Sequence, residues 1–206
     1  MYENCPRRYY YQRITKEVKD TGSDATIYGE RVHEALEHRL EDKVELPAES
    51  SKYESLCKSI EGIGGTLHIE QKFTLTENLT PTGWWEKDAW LRSILDVLII
   101  IGDKAIVMDW KTGKRRPDFT QLELFALQVF QHFPSINSVK SSFVWLKDMA
   151  IDTENYKRET VRNHEYRLQK DPKCGYSAEQ IVKIASGTAN LDRFRYIEGK
   201  KYFKVV

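Results

Sequence analysis

Asp96, Asp109 and Lys111 fall within one short stretch of the chain, on two segments that read as paired β-strands. A buried strand has little use for ionised side chains, because desolvating a charge costs several kcal/mol unless it is paired or binds a metal. Side chains at i and i+2 share a strand face, so Asp109 and Lys111 point the same way. Antiparallel pairing across the intervening turn brings Asp96 towards them. Two carboxylates can hold a hard divalent cation such as Mg²⁺, which takes oxygen ligands and keeps several waters. The lysine beside them would face a phosphate.

The elements that must position these groups can be read from patterning. Ile94 to Ile101 is apolar and rich in β-branched residues, as in a strand covered on both faces. Gly102-Asp103-Lys104 is turn chemistry, and Ala105 to Met108 restarts the apolar run before Asp109. Upstream, Leu67 to Thr76 alternates as a strand, with Leu67, Ile69, Phe73 and Leu75 on one side and Glu70 and Lys72 on the other. Ile27 to about Leu40 is expected to be helical, with Ile27, Val32, Ala35, Leu36 and Leu40 on one face and His33 within it.

Further segments complete the pattern. Pro6 opens a short helix reaching Arg13, and Asp20 to Asp24 forms a loop. Ser50 or Ser51 is expected to cap a helix ending near Ile63, stopped by Gly62, Gly64 and Gly65. Asn78 to Gly83 is a turn-rich loop leading to Trp84, Trp85 and Trp90. A helix over about Phe119–Phe133, strands over Ser138–Leu146 and Thr153–Val161, and a helix over Ser177–Ala185 follow. Phe194 to Val206 alternates weakly, as a hairpin or a tail. The order implies an α/β (α+β) fold, a central mixed sheet flanked by helices.

The 206 residues suggest one domain, 1–206, with a real core. A net charge of +1 gives no overall basic character, so charge placement matters more than its sum. Arg7-Arg8 and Lys114-Arg115-Arg116 are short basic clusters, the second directly after the acidic site; a solvated face is the ordinary reading of each. The lack of a run of about 18 apolar residues predicts no transmembrane helix and no membrane partner. No signal peptide is recognised. Cys5, Cys57 and Cys174, odd in number and widely spaced, speak against a disulfide framework and for a reducing cytoplasm.

Several motifs, in order, resemble the PD-(D/E)XK nuclease superfamily, in particular its RecB-type exonuclease-like branch of bacteria and phages. Cys5-Pro6-Arg7-Arg8-Tyr9-Tyr10-Tyr11 is similar to that branch's N-terminal helix. Gly29 to Glu37 looks like its G-x-x-x-H-x-x-L-E helix. Ile94-Leu95-Asp96 resembles the strand with the first core acid, and Asp109-Trp110-Lys111-Thr112-Gly113 matches D-x-K-T-G. Gln121-Leu122 with Phe125 resembles Q-L-x-x-Y, with phenylalanine for tyrosine. The resemblance covers about Met1 to Leu146, which leaves 147–206 as an extension completing or flanking the core.

The resemblance implies a restriction-endonuclease-like core and a metal-dependent DNA nuclease using Mg²⁺ or Mn²⁺. It implies that Asp96, Asp109, His33 and the backbone carbonyl of Trp110 ligate the metal. Lys111 would orient the attacking water and stabilise charge on the phosphate, and Gln121 would position the DNA strand and Lys111. Glu70 would hold a water or a second cation. Arg7, Arg8, Lys114, Arg115 and Arg116 are the DNA-binding candidates. Some relatives carry an iron–sulfur cluster, which needs four thiolates; with three cysteines, none is expected here.

Bland alternatives stand beside these roles. His33 could be a satisfied core histidine, Asp96 a turn residue, Asp109 and Lys111 a surface ion pair, and Glu70 or Gln121 merely solvated. The tryptophans could stack on single-stranded bases or pack as loop anchors. The expected function is an exonuclease in DNA recombination, repair or phage DNA processing, acting on single- or double-stranded DNA, with a recombination or repair protein as a conceivable partner. The alternative is an inactive DNA-binding scaffold of the same fold; a hydrolase of RNA or a nucleotide also stays open.

Overall fold

In the computed structural model, residues 6–18, 23–116 and 119–160 are described. The expected helix over Ser177–Ala185, the Phe194–Val206 segment, Cys5 and Cys174 lie outside them.

The described residues build one mixed sheet of five strands in the order β1-β2-β3-β4-β5. The strands are β1 (Thr66–Leu75), β2 (Leu91–Ile101), β3 (Lys104–Lys111), β4 (Ser138–Trp145) and β5 (Ala150–Lys157). β2 and β3 form the hairpin that the Gly-Asp turn demands, with Ile101 opposite Lys104. β3 and β4 run parallel, joined by the crossover helix α4 (Thr120–His132). β1 and β5 pair antiparallel at the two sides. β5 starts at Ala150, ahead of the expected Thr153, because a tight turn over Lys147–Met149 sets Trp145 opposite Ala150.

Helices cover both faces. α1 (Pro6–Tyr9) continues as a π-helical turn to Ile14. α2 (Asp24–Glu41) starts earlier than its apolar stripe, because Ser23 caps it by accepting the Thr26 amide. Val32, Leu36 and Leu40 face inward, while Ile27, assigned to that face by periodicity, is exposed. A 3₁₀ segment, Ala48–Tyr53, leads into α3 (Glu54–Glu61). Neither Ser50 nor Ser51 caps α3 as expected: Ser50 is buried in the 3₁₀ segment, and the Ser51 hydroxyl donates to the Ala48 carbonyl.

Two cores result. α4 packs with Phe73, Leu75, Leu95, Leu98, Val107 and Phe143 on one face of the sheet. α2 and α3 pack with Val97, Ile99, Trp110 and Val144 on the other. The sheet therefore departs from strict alternation in β1 and β2. Leu67 and Ile69 serve the α2 side, whereas Phe73 and Leu75, of the same parity, serve the α4 side. β2 changes likewise, between Leu95 and Val97. The changes coincide at Glu70 and Asp96, which stand opposite each other yet drop out of the ladder between Ile69↔Val97 and Gln71↔Leu95. Glu70 has φ of +48°, a left-handed conformation costly for a side-chain-bearing residue. This corrects the simple two-sided reading of β1.

Candidate active site

The ladder between β2 and β3 ends at Val97↔Met108, and beyond it the strands part. Asp96 bridges this fork by accepting the Trp110 backbone N–H at Oδ2, 2.6 Å away. The carboxylate thereby satisfies a buried backbone donor that the departing strand leaves without a ladder partner. The Trp110 indole is buried in the α2-side core, which fixes the strand at this point.

Groups from both layers converge on the fork. From α2, His33 Nδ1 faces Asp96 Oδ1 at 3.6 Å. From β3, Lys111 Nζ lies 2.6 Å from Asp109 Oδ2. From α4, Gln121 Nε2 donates to Asp109 Oδ1 at 2.8 Å, while Gln121 Oε1 accepts from Lys111 Nζ at 2.9 Å. The Lys111 ammonium also sits 5.0 Å from the centre of the Phe143 ring, a favourable cation–π distance. Gly29, one helical turn before His33, makes the α2 approach possible: a Cβ there would meet Thr112 Oγ1 at 2.8 Å.

The electrostatics show crowded negative charge. Asp109 is pushed up to about 7, first by burial and then by Asp96, against the opposing pull of Lys111 and His33. Glu70 is likewise pushed up to about 7, by burial and by the Asp96 and Glu37 carboxylates. Burial works against a charged His33, but Asp96, Asp109 and Glu70 outweigh it and raise its pKa.

These residues suit a hard cation. Asp96 and Asp109 are buried, and Asp109 Oδ2 faces the Lys111 ammonium at 2.6 Å, while a carboxylate oxygen has lone pairs for more than one partner. Among the described residues no group of three or more His, Cys, Asp or Glu side chains is placed to hold a metal ion. Mg²⁺ does not need such a group, since it binds through one or two carboxylates and retains waters.

The structure thus brings His33, Glu70, Asp96, Asp109, Lys111 and Gln121 to one place, and Trp110 with them through its N–H. The basic candidates are spread differently. Arg7, Lys114 and Arg116 are exposed, and the Arg8 side chain lies outside the described part. Arg115 is engaged by Asp152 of β5, which also accepts the Trp145 indole N–H. Sequence reasoning placed Glu37 and Thr112 within motifs without giving them roles, and gave no part to Phe143. Glu37, four residues after His33 on α2, had a legible signal in its spacing; Phe143 had none, being brought in by the β3–β4 pairing.

A mixed sheet flanked by helices, with acids and a lysine gathered where two strands part, is a fold and site of defined class. The chain belongs to the PD-(D/E)XK nuclease superfamily, whose family model matches residues 1–183. Among solved structures, a candidate exonuclease from Eubacterium rectale aligns with a TM-score of 0.47 and 13% identity, over 89% of this chain and 76% of that one. A protein called SSO0001 aligns with a TM-score of 0.41 and 16% identity, over 87% and 79% respectively. No curated protein matches the chain. Among the described residues, no helix is long and apolar enough to cross a membrane.

Proposed function

We propose that this chain is a divalent-cation-dependent deoxyribonuclease that hydrolyses phosphodiester bonds from DNA ends, in recombination, repair or phage DNA processing in the cytoplasm. The observation that carries the reading is the fork. Buried Asp96 and Asp109 flank it, and the Lys111 ammonium lies 2.6 Å from Asp109 Oδ2. Superfamily membership supports the reaction class, and the resemblance to the RecB-type branch favours exonuclease action.

Asp96 and Asp109, with His33 and the Trp110 backbone, would hold Mg²⁺ or Mn²⁺. Bound there, such a cation supplies charge stabilisation at the phosphoryl oxygens and lowers the pKa of water. Lys111 adds a second positive charge where negative charge grows during hydrolysis. Gln121 fixes Lys111 relative to Asp109 through its two hydrogen bonds, so the ammonium is positioned before substrate arrives. Glu70 completes the row of acids and would hold a water or a second cation. Arg7, Lys114 and Arg116 would meet the DNA backbone.

The test is degradation of linear and circular DNA, single- and double-stranded, with Mg²⁺ or Mn²⁺, with EDTA, and with Lys111→Ala. Loss of linear DNA only, abolished by EDTA and by Lys111→Ala, is the expected result. Wild-type protein that binds DNA and never cuts it would establish the scaffold alternative. Cleavage indifferent to Lys111→Ala would remove the mechanism.

A further inference from the structure

The loop joining β1 to β2 carries an unusual pair. Trp85 is 87% exposed, far more than a packing role requires. Trp84 is half-buried, and the two rings meet edge to face at 6.4 Å. The loop that presents them is firmly tied. Arg92 of β2 donates to the Trp84 carbonyl at 2.7 Å, Thr82 donates to Asp88 at 2.9 Å, and the Trp90 amide donates to Leu75 at 2.8 Å. Leu79, at φ +59°, is buried in the α4-side core and anchors the loop from below. Hydrogen bonds and a buried anchor thus hold a large apolar ring out in water.

Lys72 ties the pair to β1, the strand that also carries Glu70. Lys72 stands two residues beyond Glu70 on β1, roughly 7 Å along the strand. Its ammonium lies 5.9 Å from the centre of the Trp84 ring. One cation and two indoles therefore extend the sheet away from the fork. A flat aromatic face suits unpaired bases, which stack with little regard to sequence.

We infer that Trp85, backed by Trp84, is a stacking platform for the bases of single-stranded DNA leading to the fork, with Lys72 meeting the adjoining phosphate. The inference rests on reading the fork as a DNA site and adds a preference for unpaired strands. It assigns Trp85 a binding role, separate from the groups proposed to act on the phosphate.

The experiment measures affinity in EDTA, so that no cleavage is needed, using fluorescently labelled oligothymidylate and a duplex of the same length. Trp85→Ala is expected to weaken oligothymidylate binding by roughly fivefold to a hundredfold. Duplex binding should stay unchanged, and Trp85→Phe should retain most of the affinity. Because Trp85 is exposed, unchanged melting should accompany the change. Equal oligothymidylate affinity in Trp85→Ala and wild type would overturn the inference, as would an equal loss on duplex. Trp85-dependent binding by a protein that never cuts with Mg²⁺ or Mn²⁺ would support the platform while sinking the nuclease reading. Cutting with no Trp85 dependence of binding would do the reverse.

Discussion

The Trp110 backbone amide donates to Asp96 Oδ2 across the opening between β2 and β3, so the acid proposed to hold a cation also closes the sheet. The two duties separate in Asp96→Asn. An asparagine oxygen can accept the same N–H, so the fork stays closed, while the negative charge that raises both Asp109 and Glu70 is gone. Without cation, Asp96→Asn should melt at or above the wild-type temperature. Its cleavage rate should fall by at least about a hundredfold. Asp96→Ala should lose both cleavage and stability, because the Trp110 amide is then buried without a partner. Melting curves alongside a cleavage assay compare the two.

Gly29 and Thr112 form a steric pair that sets how near α2 lies to the fork. Gly29→Ala would gain about 0.5–1 kcal/mol of helix preference. Overpacking against Thr112 should cost about 1–3 kcal/mol, so the net effect is destabilising. In a Thr112→Ala background the obstructing hydroxyl is absent, and the same Gly29→Ala change should be stabilising. A reversal of sign in a double-mutant cycle, measured by denaturant unfolding, is the expected outcome. Additive effects would show that the contact does not set the spacing.

The hairpin and the site on it were legible because the information is local. An apolar β-branched run, a Gly-Asp turn and a second run fix the β2–β3 register, and Asp96 follows from that register. The α4 stripe of Leu122, Phe125 and Val129 was equally plain, and all three are buried. From the strand pattern Glu70 was visible only as a polar member of an alternating strand; its place beside the acids came from the family resemblance. Its positive φ and the change of sheet face around it arise from pairing with β2 and from the two helical layers. No window on β1 alone contains them. Arg115 read as a free basic residue because its partner, Asp152, is brought alongside only by the β4–β5 pairing. The candidate site's acids come from neighbouring strands and could be read; His33 and Gln121 were named from motif resemblance, and seating their helices against those strands required the fold.

A pH effect follows from the clamp between α2 and α3. Arg39 donates to both Glu54 and Glu61, and Lys43 donates to Glu61 at 2.7 Å. Hydrogen bonds from Arg39 and Lys43 pull Glu61 down to about 2 from an ordinary 4.5. A depressed carboxylate releases its proton more readily in the folded state, so its contribution is whole above about pH 4.5. It is lost as pH falls through about 2. Wild type should therefore lose stability over that window, and Glu61→Gln should lose less, so the two unfolding midpoints draw together on acidification. Parallel midpoints down to pH 2 would show that the clamp contributes nothing to acid sensitivity.

Cation binding should register as stability independently of cleavage. Burial and mutual repulsion of Asp96, Asp109 and Glu70 disfavour the metal-free fold, and a divalent cation relieves both. A ligand at a hundredfold excess over its Kd stabilises by about 2.7 kcal/mol. Mn²⁺ or Mg²⁺ should therefore raise the melting temperature of wild type, and EDTA should restore the lower value. Asp109→Asn should show little of this shift. An equal shift in wild type and Asp109→Asn would place the cation elsewhere on the molecule.

Gln121 is proposed as a positioning residue because it reaches Lys111 and Asp109 simultaneously from α4. Without it, Lys111 keeps its ion pair with Asp109 and its place over Phe143, but the direction of the ammonium is no longer fixed. Gln121→Ala should lower kcat by roughly tenfold to a hundredfold through lost alignment, with KM changed far less. Gln121→Glu should behave differently. The new carboxylate would still pair with Lys111 but would face Asp109 without a donor, adding negative charge to a site already crowded with it. Gln121→Glu should therefore need more Mg²⁺ or Mn²⁺ to relieve that repulsion, or lose stability in its absence. A fall in affinity for DNA with kcat intact would instead assign Gln121 to strand binding alone.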